Sequence, residues 1–95
     1  MDRTSFLEWV KARVNQRPND YGSPEDNFQT IAEFWNTYIH NKFVGTNHLF
    51  ELGPVDVALM MDLLKTARLI KTPNHFDSWA DKGGYSACGA EVSNA

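Results

Sequence analysis

The sequence predicts an all-α protein: about four helices in an antiparallel bundle, with one long loop between the second and third. Three observations predict it. Apolar residues recur at three- and four-residue spacing in four separate stretches. Each stretch is bounded by helix caps or breakers: Ser5-x-x-Glu8, Ser23-Pro24, Gly53-Pro54 and Thr72-Pro73-Asn74. No pair of alternating segments reads as a strand hairpin.

The first helix opens at the capping box Ser5-x-x-Glu8, where hydroxyl and carboxylate satisfy two end amides reciprocally. Phe6, Val10 and Val14 then mark one face with Leu7 beside them, while Lys11, Arg13 and Arg17 take other directions. Pro18 and the run Asn19-Asp20-Tyr21-Gly22 are expected to end the helix in a turn. Ser23 suits the second N-cap, Pro24 the first helical position, and Glu25 and Asp26 the helix dipole. Phe28, Ile31, Trp35 and Tyr38 follow as a large aromatic face, flanked by Ala32 and Ile39. From His40 to Leu52 no helical period survives, so a loop of about a dozen residues is expected, a length more often functional than idle.

The third helix opens at Gly53-Pro54 with Asp56 in its first turn. Val57, Leu59, Met60, Leu63, Leu64, Ala67 and Ile70 give it an apolar arc broad enough for a central helix with more than one neighbour. The last helix starts near Asn74 or Asp77 and runs to about Val92. Trp79, Ala80, Gly83, Ala87 and Cys88 share a side of mostly small residues. Two adjacent glycines cost a helix about 2 kcal/mol against alanine. Gly83-Gly84 therefore predicts either close approach of another helix or a kink. The reading is one helical domain over residues 1–95, with 93–95 a frayed tail.

Composition bounds the function. A chain of 95 residues holds one core and little more. With 42% hydrophobic and 13% aromatic residues it is no disordered tail. A net charge of −3 excludes the basic footprint of a duplex nucleic-acid binder. No apolar run reaches the ~20 residues of a membrane span, and residues 1–11 do not read as a signal peptide. The single cysteine, Cys88, excludes an intramolecular disulfide and reads as buried filler in a reducing compartment.

Three constellations remain as chemistry. Asp77, Asp81 and Tyr85 form an i, i+4, i+8 stripe whose two carboxylates suit Mg²⁺, unless Asp77 only caps a helix and Asp81 only pairs with a cation. Lys65 and Arg68 are spaced to grip a phosphate, Arg by its planar fork, unless they pair with internal acids such as Asp62, Asp77 or Asp81. Tyr21 and Asn27 flank the start of the aromatic helix, where end amides bind anions and a flat ring stacks a base, unless the stretch is simply a turn followed by a capped helix. His75, just before a helix start, is a further candidate for a phosphate. His40 and His48 make no metal-ligand spacing with it.

Four strings occur in order: Asp20-Tyr21-Gly22; Asn27-Phe28-x-x-Ile31-Ala32-x-x-Trp35; Asp56-Val57-Ala58-Leu59-Met60-Met61-x-Leu63-Leu64-Lys65-x-Ala67-Arg68; and His75-x-Asp77-Ser78-Trp79-x-Asp81-x-x-Gly84-Tyr85. Over about residues 19–91 they resemble a family of small tailed-phage and prophage proteins of unknown function. The resemblance implies phage origin and action in the cytoplasm of the infected bacterial host, and it brings no established activity. A more distant likeness is to the all-α nucleotide pyrophosphohydrolases of the MazG type, which are usually oligomeric and hold Mg²⁺ on a Glu-Glu-x-x-Glu helix and a Glu-x-x-Asp helix. Neither motif is intact here; Asp77-x-x-x-Asp81 is the nearest pair, with Asp56 as a third acid.

Three functions are therefore expected, in this order. The first is a phage accessory protein that binds a nucleotide or nucleotide-derived signal and sequesters it against host defence. Lys65, Arg68 and His75 would meet phosphate, with Asn27 beside the anion-binding amides; Tyr21 or Trp35 would stack on the base, and Asp77 and Asp81 would meet a metal or sugar hydroxyls. The second is an inhibitor of a host protein, touching it through Phe43, Val44, Leu49 and Phe50. The third is a Mg²⁺-dependent pyrophosphohydrolase. A homo-oligomer is expected, because so aromatic a small chain has apolar surface to spare; the same loop is a rival site for that interface.

Overall fold

The computed structural model describes residues 1–44 and 51–95, apart from the side chains of Pro18, Asp20 and Tyr21. Among them four helices form an all-α bundle with no strand: α1 (Arg3–Tyr21), α2 (Pro24–Lys42), α3 (Pro54–Lys71) and α4 (Phe76–Val92).

Each helix end has a chemical cause. Asp2, not Ser5, caps α1: its Oδ1 accepts from the Ser5 amide at 2.8 Å. Pro18 does not stop α1, which continues to Tyr21 and ends at Gly22, whose φ of 78° is a conformation glycine adopts without strain. A proline this close to the end removes one late backbone bond, which the last turn survives. Ser23 accepts from the Asp26 amide at 3.2 Å and Pro24 opens α2. That helix runs three residues into the expected loop, to Lys42. Asp56 folds back on the Gly53 amide at 2.8 Å to start α3. His75 is the N-cap of α4; its Nδ1 accepts from the Ser78 amide at 3.3 Å and lies 2.8 Å from Ser78 Oγ. The glycine pair neither breaks nor ends α4.

The core gathers Phe28 and Ala32 of α2, Val57 and Ala58 of α3, and Cys88 of α4, with Ile31, Trp35, Met61 and Tyr85 packed around it. The α3–α4 pair is an antiparallel hairpin of very close approach. A Cβ built on Gly89 would lie 3.0 Å from that of Ala58, so only glycine fits there unaltered. Two ion pairs tie the same pair of helices: Lys65 to Asp81 at 3.1 Å and Lys82 to Asp62 at 3.0 Å, with Thr66 also accepting from Lys82. Asn36 pins the chain entering α3 onto α2 by exchanging two bonds with Leu52, at 3.0 and 2.9 Å.

Helix α1 lies along α4 in the same direction, with Phe6 and Trp9 edge-on to Phe76 and Val10 opposite Gly83. It departs from simple antiparallel alternation because it meets α2 only near their connection. Two expected core faces also differ. Tyr38 is exposed on α2. On α3 the buried residues are Val57, Ala58, Lys65 and Leu69, while Leu59, Met60, Leu63, Leu64 and Ile70 of the expected arc face water. Ala58 sits inside because α4 comes closest there, at Gly89, and Lys65 is held inside by its ion pair with Asp81.

Candidate functional site

Because α1 and α2 diverge from their connection, a cleft of about 520 Å³ opens between them and α4. Its lining follows from helical spacing. Trp9, Arg13 and Arg17 stand at i, i+4 and i+8 on α1, so three long side chains share one edge. Asn27 and Ile31 border it from α2; Asp81, Gly84, Tyr85 and Cys88 border it from α4. Gly84 leaves its side of the cleft bare, since a Cβ there would meet nothing within 4 Å.

The two guanidinium groups are held by π faces. Arg13 lies over the Trp9 ring at 4.7 Å, and Arg17 over the Phe28 ring at 4.9 Å. Arg17 is half-buried and donates from Nη2 to Asn27 Oδ1 at 2.7 Å. Arg13 is exposed at the mouth. Tyr85 stands on the opposite wall, its ring tilted against Phe28 at 6.1 Å. The Cys88 thiol is buried at the edge of the core; burial raises its pKa, and the nearby Arg17 charge offsets that only in part. A thiol so placed is an unreactive wall rather than a nucleophile.

The sequence-derived candidates are scattered relative to this cleft. Asn27 and Asp81 line it. Lys65 is buried and bound to Asp81, reaching the cleft only through that partner. Trp35 is half-buried against the core. His75 is occupied in capping α4, beyond the far end of the cleft lining. Asp77 and Arg68 are exposed and do not line it. The Tyr21 side chain lies outside the described residues. Phe43 and Val44 are exposed, and Leu49 and Phe50 lie outside the described residues. Among the described residues no three His, Cys, Asp or Glu side chains are grouped to hold a metal ion.

Sequence reading missed Trp9, Arg13, Arg17, Gly84 and Tyr85 as a set. The signal was present in the Trp9–Arg13–Arg17 spacing. It went unread because the spacing does not say what that edge of α1 faces; the pairing of Arg17 with Asn27 and Phe28 of α2 is a tertiary contact.

No helix of the described residues is long and apolar enough to cross a membrane. Residues 5–93 match the domain of unknown function DUF6378, so the match includes the first helix that the motif resemblance left out. The Gene 55 protein of Mycobacterium phage D29 is 36% identical over 85 residues, which cover 88% of this chain and 50% of that protein. The Gene 55 protein of Mycobacterium phage L5 is 38% identical over 83 residues, covering 86% and 48%. The chain thus spans about half the length of these relatives. No solved structure matches it. The chain belongs to the DUF6378 family, a phage protein family of unknown function.

Proposed function

We propose that this domain binds a small aromatic phosphate, a nucleotide or nucleotide-derived signal, in the cleft between α1, α2 and α4. The observation that carries the reading is the Trp9–Arg13–Arg17 stripe, which lines one cleft with two guanidinium groups and a flat ring in a chain of net charge −3. A planar guanidinium matches phosphate oxygens two at a time. Stacking on a ring such as Trp9 or Tyr85 contributes about 1–3 kcal/mol per base. The cleft volume of about 520 Å³ suits a small molecule of this size. Asn27 adds an amide for the base or sugar edge.

Mg²⁺ enters this reading with the phosphates, and Asp81 is the carboxylate that the described lining offers it. Phosphoryl hydrolysis by metal ions calls for several converging carboxylates. Among the described residues Asp81 is the one carboxylate of the cleft lining, and it is already paired with Lys65. The arrangement therefore supports retention of the ligand over MazG-type cleavage. For a phage protein in an infected cell, retention amounts to sequestering a nucleotide signal used in host defence.

The test is thermal shift and calorimetry against nucleoside triphosphates, cyclic dinucleotides and ADP-ribose, with and without Mg²⁺. A ligand at 100 times its Kd is expected to stabilise the fold by about 2.7 kcal/mol. Arg13→Ala removes the exposed guanidinium, and Gly84→Leu fills the cleft from its bare side. Each is expected to weaken binding at least tenfold while helicity is kept. A flat panel, or binding indifferent to both variants, overturns the reading. Pyrophosphate release above an Asp81→Asn control overturns retention in favour of hydrolysis. A second reading, inhibition of a host protein, is supported by the exposed Phe43 and Val44, and a flat panel with one stoichiometric host partner would favour it.

A further inference from the structure

We infer that the outer face of α3 is a two-fold interface between two copies of this chain. The face carries Val55, Leu59, Met60, Leu63, Leu64 and Ile70, all exposed, with Leu63 at 64% and Ile70 at 78%. Apolar patterning selects most of this arc as core, yet in the single chain it meets only water. Six exposed apolar side chains along one arc of a helix form the kind of patch that marks an interaction site.

The area and shape of the chain agree. The chain exposes 6826 Å², where a compact monomer of its 10.8 kDa exposes about 5,500 Å². Its radius of gyration is 15.2 Å, against about 12–13 Å for a compact chain of this length. The excess, about 1,300 Å², leaves room both for the open cleft and for the roughly 800 Å² that one partner gives up in a stable interface.

The charges choose a second copy as the occupant. Asp56 lies at the N-terminal end of the exposed arc and Lys71 at its C-terminal end, with Leu63 and Leu64 midway between them. Antiparallel packing of α3 on its own copy puts Leu63 on the two-fold axis and sets each Asp56 opposite the partner's Lys71. The same packing brings the partner's Ile70 to the open groove of about 310 Å³ beside Val55, Ala58, Leu59 and Gly89. An isologous interface of this kind closes after two copies.

Sedimentation equilibrium of the full chain across the micromolar range tests the inference. The wild type is expected at twice 10.8 kDa. Leu63→Glu puts two like charges on the axis and is expected to give a folded monomer by circular dichroism. Leu63→Cys meets its own copy and is expected to form an intermolecular disulfide in air at least tenfold faster than Gln29→Cys on the exposed side of α2. Lys71→Glu is expected to weaken the dimer several-fold, more so at low salt. A wild type that stays monomeric overturns the inference and leaves the face to another partner. A Leu63→Glu dimer, or equal oxidation of the two cysteine variants, overturns it in favour of another interface.

Discussion

The seam between α3 and α4 and the corner between α1 and α2 are built on opposite principles. In the seam the helices approach until a glycine must face an alanine, and two ion pairs cross the gap. In the corner the helices touch near their connection and then diverge, and large polarisable side chains line the space between them. Small residues make a rigid wall because they leave neither voids nor rotamer freedom. Long arginines stacked on rings leave the space between the helices open. The difference teaches where this domain holds its fold and where it has space for a function.

The comparison is broken most severely at Gly89. Gly89→Val pushes a branched side chain against Ala58 and is expected to destabilise by about 3 kcal/mol. At this size that lowers Tm by more than 10 °C, since each kcal/mol shifts it by about 4–8 °C. Asp81→Ala leaves the Lys65 ammonium buried without its carboxylate. The Asp81 side chain is 36% exposed, so the expected loss is about 1–3 kcal/mol, below that of a fully buried pair. Gly84→Ala, one turn further along α4 but facing the open cleft, is expected to act in the other direction. It stabilises by about 1 kcal/mol through helix propensity alone, because nothing stands where its methyl goes. Chemical denaturation of the three variants places them in that order.

The smallest effect lies at the start of α1. Ser5 bonds hold the Asp2 carboxyl below its ordinary pKa, first through the backbone amide. A lowered folded pKa means that the contribution is present above the unfolded value, near pH 4, and is lost as pH falls below it. Asp2→Asn is expected to flatten that acidic limb by lowering the neutral plateau slightly, since the charge-dependent contribution exists only above it while the amide oxygen still caps.

Helix number and most ends were legible because caps and breakers act locally. Ser23-Pro24, Gly53-Pro54 with Asp56, and the stop at Thr72 all act where the sequence places them. Pro18 was misleading because a proline in a last turn loses one bond rather than a helix. The inward side of α3 was illegible for a different reason. Periodicity locates an apolar arc but does not say which neighbour covers it: close packing on Gly89 put Ala58 inside and the Asp81 carboxylate put Lys65 inside, while Leu59 and Leu63 stayed out. The cleft was legible only in part: Asn27 and Asp81 announced themselves, whereas the use of Tyr85 and Gly84 depends on where α1 and α2 part company.

The most direct test of the account is an amide correlation spectrum of the ¹⁵N-labelled chain titrated with the nucleotide that gives the largest thermal shift. The account predicts shifts concentrated at Gly84, Tyr85 and Asn27, on the Trp9 indole and at the Arg13 and Arg17 side chains. Perturbations confined to Arg68, His75 and Asp77, or to the α3 face, would contradict it and place the ligand outside the cleft.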